Sequence, residues 1–362
     1  MNNECPWRAV PQRQSAARAE RRALPSAPNT YSRLPRFLKP WAGGPVLLAL
    51  ILSMAPATAA VFVEDFSSPP AAHGWSTFGD AALFSWNSAN QTLDVTWDSA
   101  RQNSYFFRPL GTVLNRTDDF AVQLDLRLHS VQAGINPAKP STFEVAFGFL
   151  RLSSATNAGF SRGTGLNSPN LVEWTYFPAA DIIDATVSPV IVSSNNQFIP
   201  SLNFPLEMPV NDLFHISMAY TASNQTLSTT MTRNGAPFGP LQNVKLAASF
   251  TDFRVDTFSI HSYNDAGDAY GSLLARGTID NLTVTTPASP VMNLQNRITN
   301  GVHRIQFVGR TNWNYALERS LDLQSFGAVQ FTNGTTGTNV LFEEPFDPGS
   351  TRRFYRVRAE KP

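Results

Sequence analysis

A lone carboxylate lies inside the run Asn170-Leu-Val-Glu-Trp-Thr-Tyr-Phe-Pro178. Its neighbours are apolar or aromatic, so the run reads as a strand that belongs in an interior. Glu173 then has two alternatives. It emerges on a face that binds something, or a partner holds it inside and outweighs the cost of taking a charge out of water. A second group of chemically useful residues is His261-Ser-Tyr-Asn-Asp-Ala-Gly-Asp-Ala-Tyr-Gly271, between two late strand-like runs. Sugars are held by a flat aromatic ring beneath their C–H face and by carboxylate or amide groups on their hydroxyls. Tyr263, Asn264, Asp265, Asp268 and Tyr270 offer both kinds, although the same composition also suits a solvated hairpin loop.

Motifs for bond cleavage are weak. Gly159-Phe-Ser-Arg-Gly163 matches Gly-x-Ser-x-Gly, but a nucleophile elbow needs a strand before it and a helix after it, and this one has loop composition on both sides. The histidines at 73, 129, 215, 261 and 303 are scattered singly, without zinc spacing. Nowhere is an Asp or Glu followed two residues later by another, the spacing that puts two acids on one strand face ~6–7 Å apart. A retaining glycosidase needs two carboxyls near ~5.5 Å. Acidic pairs at the next wider spacings include the loop pairs Asp181/Asp184 and Asp265/Asp268 and the strand pair Asp252/Asp256. Acids from distant strands remain available, so a glycoside hydrolase or lyase stays open as an alternative.

The elements that position these residues read as strands. Phe120-Ala-Val-Gln-Leu-Asp-Leu-Arg-Leu128 alternates, with Phe120, Val122, Leu124, Leu126 and Leu128 on one face. Phe143-Glu-Val-Ala-Phe-Gly-Phe-Leu-Arg-Leu152 reads as a strand covered on both sides. Phe214-His-Ile-Ser-Met-Ala-Tyr220 and Thr226-Leu-Ser-Thr-Thr-Met-Thr232 predict a hairpin, Asn234-Gly235 a tight turn, and Gly277-Thr-Ile-Asp-Asn-Leu-Thr-Val284 a late strand. Many strands punctuated by Gly, Pro and Asn, without a convincing amphipathic helix, predict an all-β fold: a sandwich of two antiparallel sheets.

The N-terminal sixty residues stand apart. Pro45-Val-Leu-Leu-Ala-Leu-Ile-Leu-Ser-Met-Ala55 is too short to span a bilayer, follows a basic stretch and precedes small residues up to Ala60, the pattern of a secretory signal. Its removal takes eight of the 28 basic and two of the 27 acidic side chains, leaving a net charge of −5. Nucleic acid is therefore an unsuitable partner. Cys5, the one cysteine, leaves with the leader, so no disulfide is expected. The mature chain holds no apolar run of membrane-spanning length. Thr285-Thr-Pro-Ala-Ser-Pro290 marks a linker, with 11 bases and 19 acids over 61–289 and nine and six over 290–362.

The first part, with Val63-Glu-Asp-Phe66, Gly74-Trp75 and Gly277-Thr-Ile-Asp-Asn-Leu-Thr-Val284, resembles the concanavalin A-like lectin/glucanase jelly rolls of secreted bacterial proteins. The second, with Tyr315-Ala-Leu-Glu-Arg-Ser-Leu-Asp-Leu323 and Arg353-Phe-Tyr-Arg-Val357, is similar to small β-sandwich modules that end many such proteins, although Phe326 stands near the place of their usual Trp. Val172-Glu-Trp-Thr-Tyr176 resembles the Val-Glu-Phe-Asp-Thr strand of legume-type lectins, whose Glu and Asp bind metal. Thr175 stands where the second acid would be, and Asp181 and Asp184 are the nearby oxygen donors. The jelly-roll resemblance also implies a structural calcium where the first and last long strands pair, near Asp65 and Asp280, or simply a strand end and a turn. The glucanases of this fold resemble one another in a Glu-x-Asp-x-x-Glu strand, which this chain lacks.

These features together predict a leader over 1–60, a jelly-roll domain over 61–286, a linker over 287–292 and a small β-sandwich module over 293–362. The expected function is non-catalytic binding of a polysaccharide or glycan by a secreted or cell-surface protein. Besides the enzyme alternative, a structural surface or matrix role remains.

Overall fold

The computed structural model describes residues 59–163, 166–180, 183–310, 313–333, 339–345 and 352–361. The predicted leader up to residue 58, and Asp181, lie outside them.

Alternation in the sequence translates directly into layers. In the strand Phe120–Ala133, Phe120, Val122, Leu124, Leu126 and Leu128 are all buried while their odd-numbered neighbours are not. This strand sits at the middle of an antiparallel sheet ordered Ala236–Phe238, Thr226–Arg233, Phe214–Thr221, Phe120–Ala133, Leu273–Thr286, Thr92–Asp98, Phe84–Asn87. The predicted hairpin is its second and third members. The opposing sheet runs Phe198–Pro200, Val190–Val192, Leu171–Phe177, Val145–Leu150, Val255–Ser262, Ser104–Leu114, Ser76–Phe78. The Phe120 ring meets Phe149 edge-on at 4.9 Å, so the two inner faces interdigitate as in a sheet-on-sheet core. The first strand, Ala60–Glu64, pairs with the end of the long closing strand Leu273–Thr286. The result is the two-sheet antiparallel jelly-roll sandwich that the sequence predicts.

The strands Val145–Leu150 and Leu171–Phe177 are buried on both faces. The inner face meets the facing sheet. Phe160 and the one-turn helix Leu152–Ala155 belong to the connection between these two strands, and Tyr105 on the outer face of the sheet touches both: its hydroxyl donates to Ala155 O at 3.0 Å and its ring meets Phe160 edge-on at 6.5 Å. A connection folded back over its own sheet is what gives Glu173 a roof.

Beyond residue 290 the chain forms two three-stranded sheets, Val291–Thr299 with Val302–Gly309 and Asn339–Pro345, and Gly327–Asn333 with Asn314–Ser320 and Phe354–Glu360. Between them lies a separate small core of Ile305, Phe307, Trp313, Tyr315, Leu317 and Phe342. The strand Val291–Thr299 takes up the last two residues of the predicted linker and has no sequence signal, because it is an exposed edge strand of mostly polar residues.

Candidate functional site

Pleating decides where Glu173 points. Phe147 stacks on its cross-strand partner Trp174, centroids 5.0 Å apart, and both face the core. Side chains alternate along a strand, so Glu173 and Thr175 point the other way, Glu173 toward Arg162 of the folded-back connection and Thr175 toward Ser188 O. Gly148 lies directly opposite Glu173, and a Cβ at that position would sit 2.4 Å from Val172 O and 2.6 Å from Glu173 Cα. Only a glycine lets the two strands approach so closely.

The partner that holds Glu173 inside is Arg162. Its guanidinium contacts the Glu173 carboxylate directly and donates to Glu144 Oε2 at 2.8 Å. The Tyr263 hydroxyl donates to Glu173 Oε2 at 2.8 Å, and His261 Nδ1 lies 3.2 Å from the same oxygen and 2.8 Å from the Tyr263 hydroxyl. With the Tyr263 hydroxyl donating to ionised Glu173, a His261 proton on Nδ1 is the tautomer that gives this carboxylate a further donor. The Arg162 guanidinium also lies 5.6 Å from the centroid of the Tyr263 ring, in cation–π range. The Arg162 and Glu173 side chains are 4% and 0% exposed, so nothing here is solvated.

One cation between two buried carboxylates leaves one negative charge too many, and the proton balance follows. Burial pushes Glu144 up to about 8, the charge of Glu173 adding to the effect and Arg162 opposing it. Burial also opposes the charge on Glu173, but Arg162 and the bonds from His261 and Tyr263 prevail and hold its pKa below the usual carboxylate value. Burial lowers the pKa of His261, keeping the ring neutral. Near pH 7 the cluster is therefore Glu144 protonated, Arg162 cationic and Glu173 anionic, with no net charge. A protonated and an ionised carboxyl held on one guanidinium form an acid–base arrangement. Here both are buried, and through them Arg162 ties its connection to the sheet.

The predicted sugar-binding loop divides. Tyr263 is buried in this cluster. The Asn264 side chain caps the short turn Asp265–Gly267 through Ala266 N and donates to Arg101 O at 2.6 Å. Asp265 accepts from Lys139 Nζ at 2.7 Å and the Ser99 hydroxyl at 2.8 Å. Asp268 Oδ1 accepts the backbone N–H groups of Tyr270 and Gly271, and its Cβ would lie 2.6 Å from a Cβ at Gly163. Tyr270 alone of the five carries an open side chain, 65% exposed. The loop is thus pinned by residues 99–103, 139–141 and 163, with one aromatic ring facing solvent. Trp75, Trp97 and Trp174, flat rings of the kind that stack on sugars, are core instead.

Asp65 is exposed, and Ser67 donates to its Oδ1 through hydroxyl and backbone at 2.7 and 3.0 Å, lowering its pKa. The buried acid next to it is Glu64, which takes Trp75 Nε1 at 2.8 Å and faces His73 Nδ1 at 2.9 Å. Asp280 lies opposite Asp125 on the adjacent strand, and burial, followed by the charges of Asp125 and Asp65, raises its pKa. Among the described residues no group of three or more His, Cys, Asp or Glu is arranged to hold a metal ion.

Arg162, Glu144 and His261 are the residues sequence reasoning passed over. The signals were present: the Gly159–Gly163 motif carries Arg162 rather than a nucleophile, and alternation puts Glu144 on the face of Ala146 and Gly148.

No protein-family model matches the chain, and no curated protein matches its sequence. Solved structures do share its shape in part. Peanut lectin in complex with a peptide aligns over 64% of this chain and 99% of its own at 18% identity and a TM-score of 0.41. The lectin UEA-II complexed with galactose aligns over 63% and 98% at 13% identity and 0.41. A mutant of the alginate lyase Aly36B in complex with an alginate tetrasaccharide aligns over 63% and 93% at 13% identity and 0.37.

Proposed function

We propose that the protein is a secreted or cell-surface glycan-binding protein without catalytic activity, and that its contact surface is the loop end around Tyr270. The observation that carries this reading is the open Tyr270 ring on a loop immobilised by Asp265, Asp268 and Asn264. A ring on a pre-ordered loop stacks on a sugar face with little further loss of conformational freedom. Asp265 and Asp268 carry carboxylate acceptors on the same loop. Export rests on the leader pattern, and the net charge of −5 after its removal favours neutral sugars over polyanions.

The reading is tested by retention on insoluble polysaccharides and on a glycan array, with and without calcium, for the wild type and Tyr270→Ala. Retention lost in the variant supports it. Reducing-sugar or unsaturated-product release by the wild type would favour the hydrolase or lyase alternative. Neither retention nor turnover across broad panels would favour a structural role. Among the described residues the acid–base pair Glu144 and Glu173 stands on the side of catalysis, and its burial against Arg162 supports the non-catalytic reading.

A further inference from the structure

The turn after the strand Ser104–Leu114 buries an aspartate. Asp118 accepts Asn115 N at 3.0 Å through Oδ2, an ordinary turn bond. Its carboxylate is also met by two cations from beyond residue 290. Lys361 Nζ contacts Asp118 Oδ2 and donates to Asn115 Oδ1 at 2.7 Å, while Arg310 Nη2 lies 3.6 Å from Asp118 Oδ1. Arg310 further donates to Ala288 O in the linker at 3.1 Å. Both cations lie over the ring of Trp313, at 6.0 Å for Arg310 and 5.9 Å for Lys361. The Lys361 and Asp118 side chains are 9% and 3% exposed, so the pair is enclosed rather than a surface contact.

Grooves of about 570 and 560 Å³ flank the linker, the first along Thr285–Ala288 and Arg310, the second between Pro109, Val113, Pro290, Trp313 and Val357.

We propose that Asp118 is a docking site for the chain's own C-terminal module, and that Arg310 and Lys361, aligned by Trp313, latch the module to the jelly roll so that the two move as one body. A surface salt bridge would contribute little. A desolvated pair differs, because removal of one partner strands the other charge. Burial lowers the pKa of Lys361 against the pull of Asp118, as enclosure of an ammonium requires. The latch gives the linker a function that its Pro-rich composition alone does not: it is a strap held at Ala288, not a free tether.

The test uses the full chain. Small-angle scattering of the wild type should fit a single conformer, and proteolysis between residues 285 and 290 should be slow. Lys361→Met combined with Arg310→Met leaves the Asp118 turn bond intact. It should enlarge the maximum dimension and raise the linker cleavage rate about tenfold or more, since cleavage follows the open population and tenfold corresponds to ~1.4 kcal/mol. Lys361→Arg, which keeps the charge, should remain resistant. Wild-type scattering that requires an ensemble of orientations, or a double variant cleaved at the wild-type rate, overturns the proposal. The wild-type measurement decides even if the double variant does not fold.

Discussion

The charge balance around Glu173 makes stability depend on pH in a way that one substitution should erase. The folded-state pKa of Glu144 is raised to about 8 by burial first and by Glu173 next, whereas in the unfolded chain it titrates near ~4.3. Between those values the folded protein holds a proton that the unfolded chain has released. Stability contributed by this group is therefore complete below the unfolded value and is lost as the pH rises toward about 8. The slope is ~1.4 kcal/mol per pH unit, or ~4 kcal/mol over the three units from pH 5 to pH 8. Glu144→Gln preserves the shape and the acceptor for Arg162 and cannot ionise. At pH 5 it should cost less than ~1 kcal/mol, since it replaces a neutral acid by a neutral amide. By pH 8 it should be more stable than the wild type. Urea unfolding at pH 5, 6, 7 and 8, followed by the fluorescence of the buried Trp97 and Trp174, measures the difference directly, because titrating groups distant from Glu144 cancel between the two proteins. Parallel stability curves across this range would refute the assignment of the proton to Glu144.

Glu173 works in the opposite direction. Its lowered pKa supplies stability that is present above the ordinary carboxyl range and lost as the pH falls through the folded value, so Glu173→Gln should flatten the acid limb of the same curve. Arg162→Met strands the ionised Glu173 and should cost ~3–5 kcal/mol in urea unfolding; a loss below 1 kcal/mol would mean that the connection is held by Phe160 instead. Gly148→Ala drives a methyl into Val172 O and the Glu173 backbone and should cost ~1–3 kcal/mol or prevent folding, read from soluble yield and Tm. Tyr270→Ala, on an exposed ring, should leave stability within ~0.5 kcal/mol in the same assay while glycan retention falls.

Strand alternation was legible where one face is buried and the other wet. Phe120–Ala133 and the hairpin Phe214–Thr221 with Thr226–Arg233 could be read from residue types alone, because a period of two sorts side chains between core and water. The edge strand Val291–Thr299 could not, since its pairing with Val302–Gly309 is made by backbone groups that every residue carries. The loop at 261–271 was recognisable as polar and aromatic. That Tyr263 turns inward while Tyr270 turns out depends on what lies beneath each ring, namely Phe160 and Tyr105 for Tyr263.

Local composition thus determined that Glu173 lies on a strand unsuited to a bare charge, that the chain builds layered sheets, and that the part beyond 290 carries its own small core. Only the tertiary structure decided which group answers that charge. Glu173 and His261 come from two strands, Glu144 from the residue ahead of a third and Arg162 from a connection, and periodicity assigns a side chain to a face without saying which distant residue will share it. Neutralising a buried carboxylate requires a counter-charge at contact distance, and that distance exists only once the connection has folded back over the sheet.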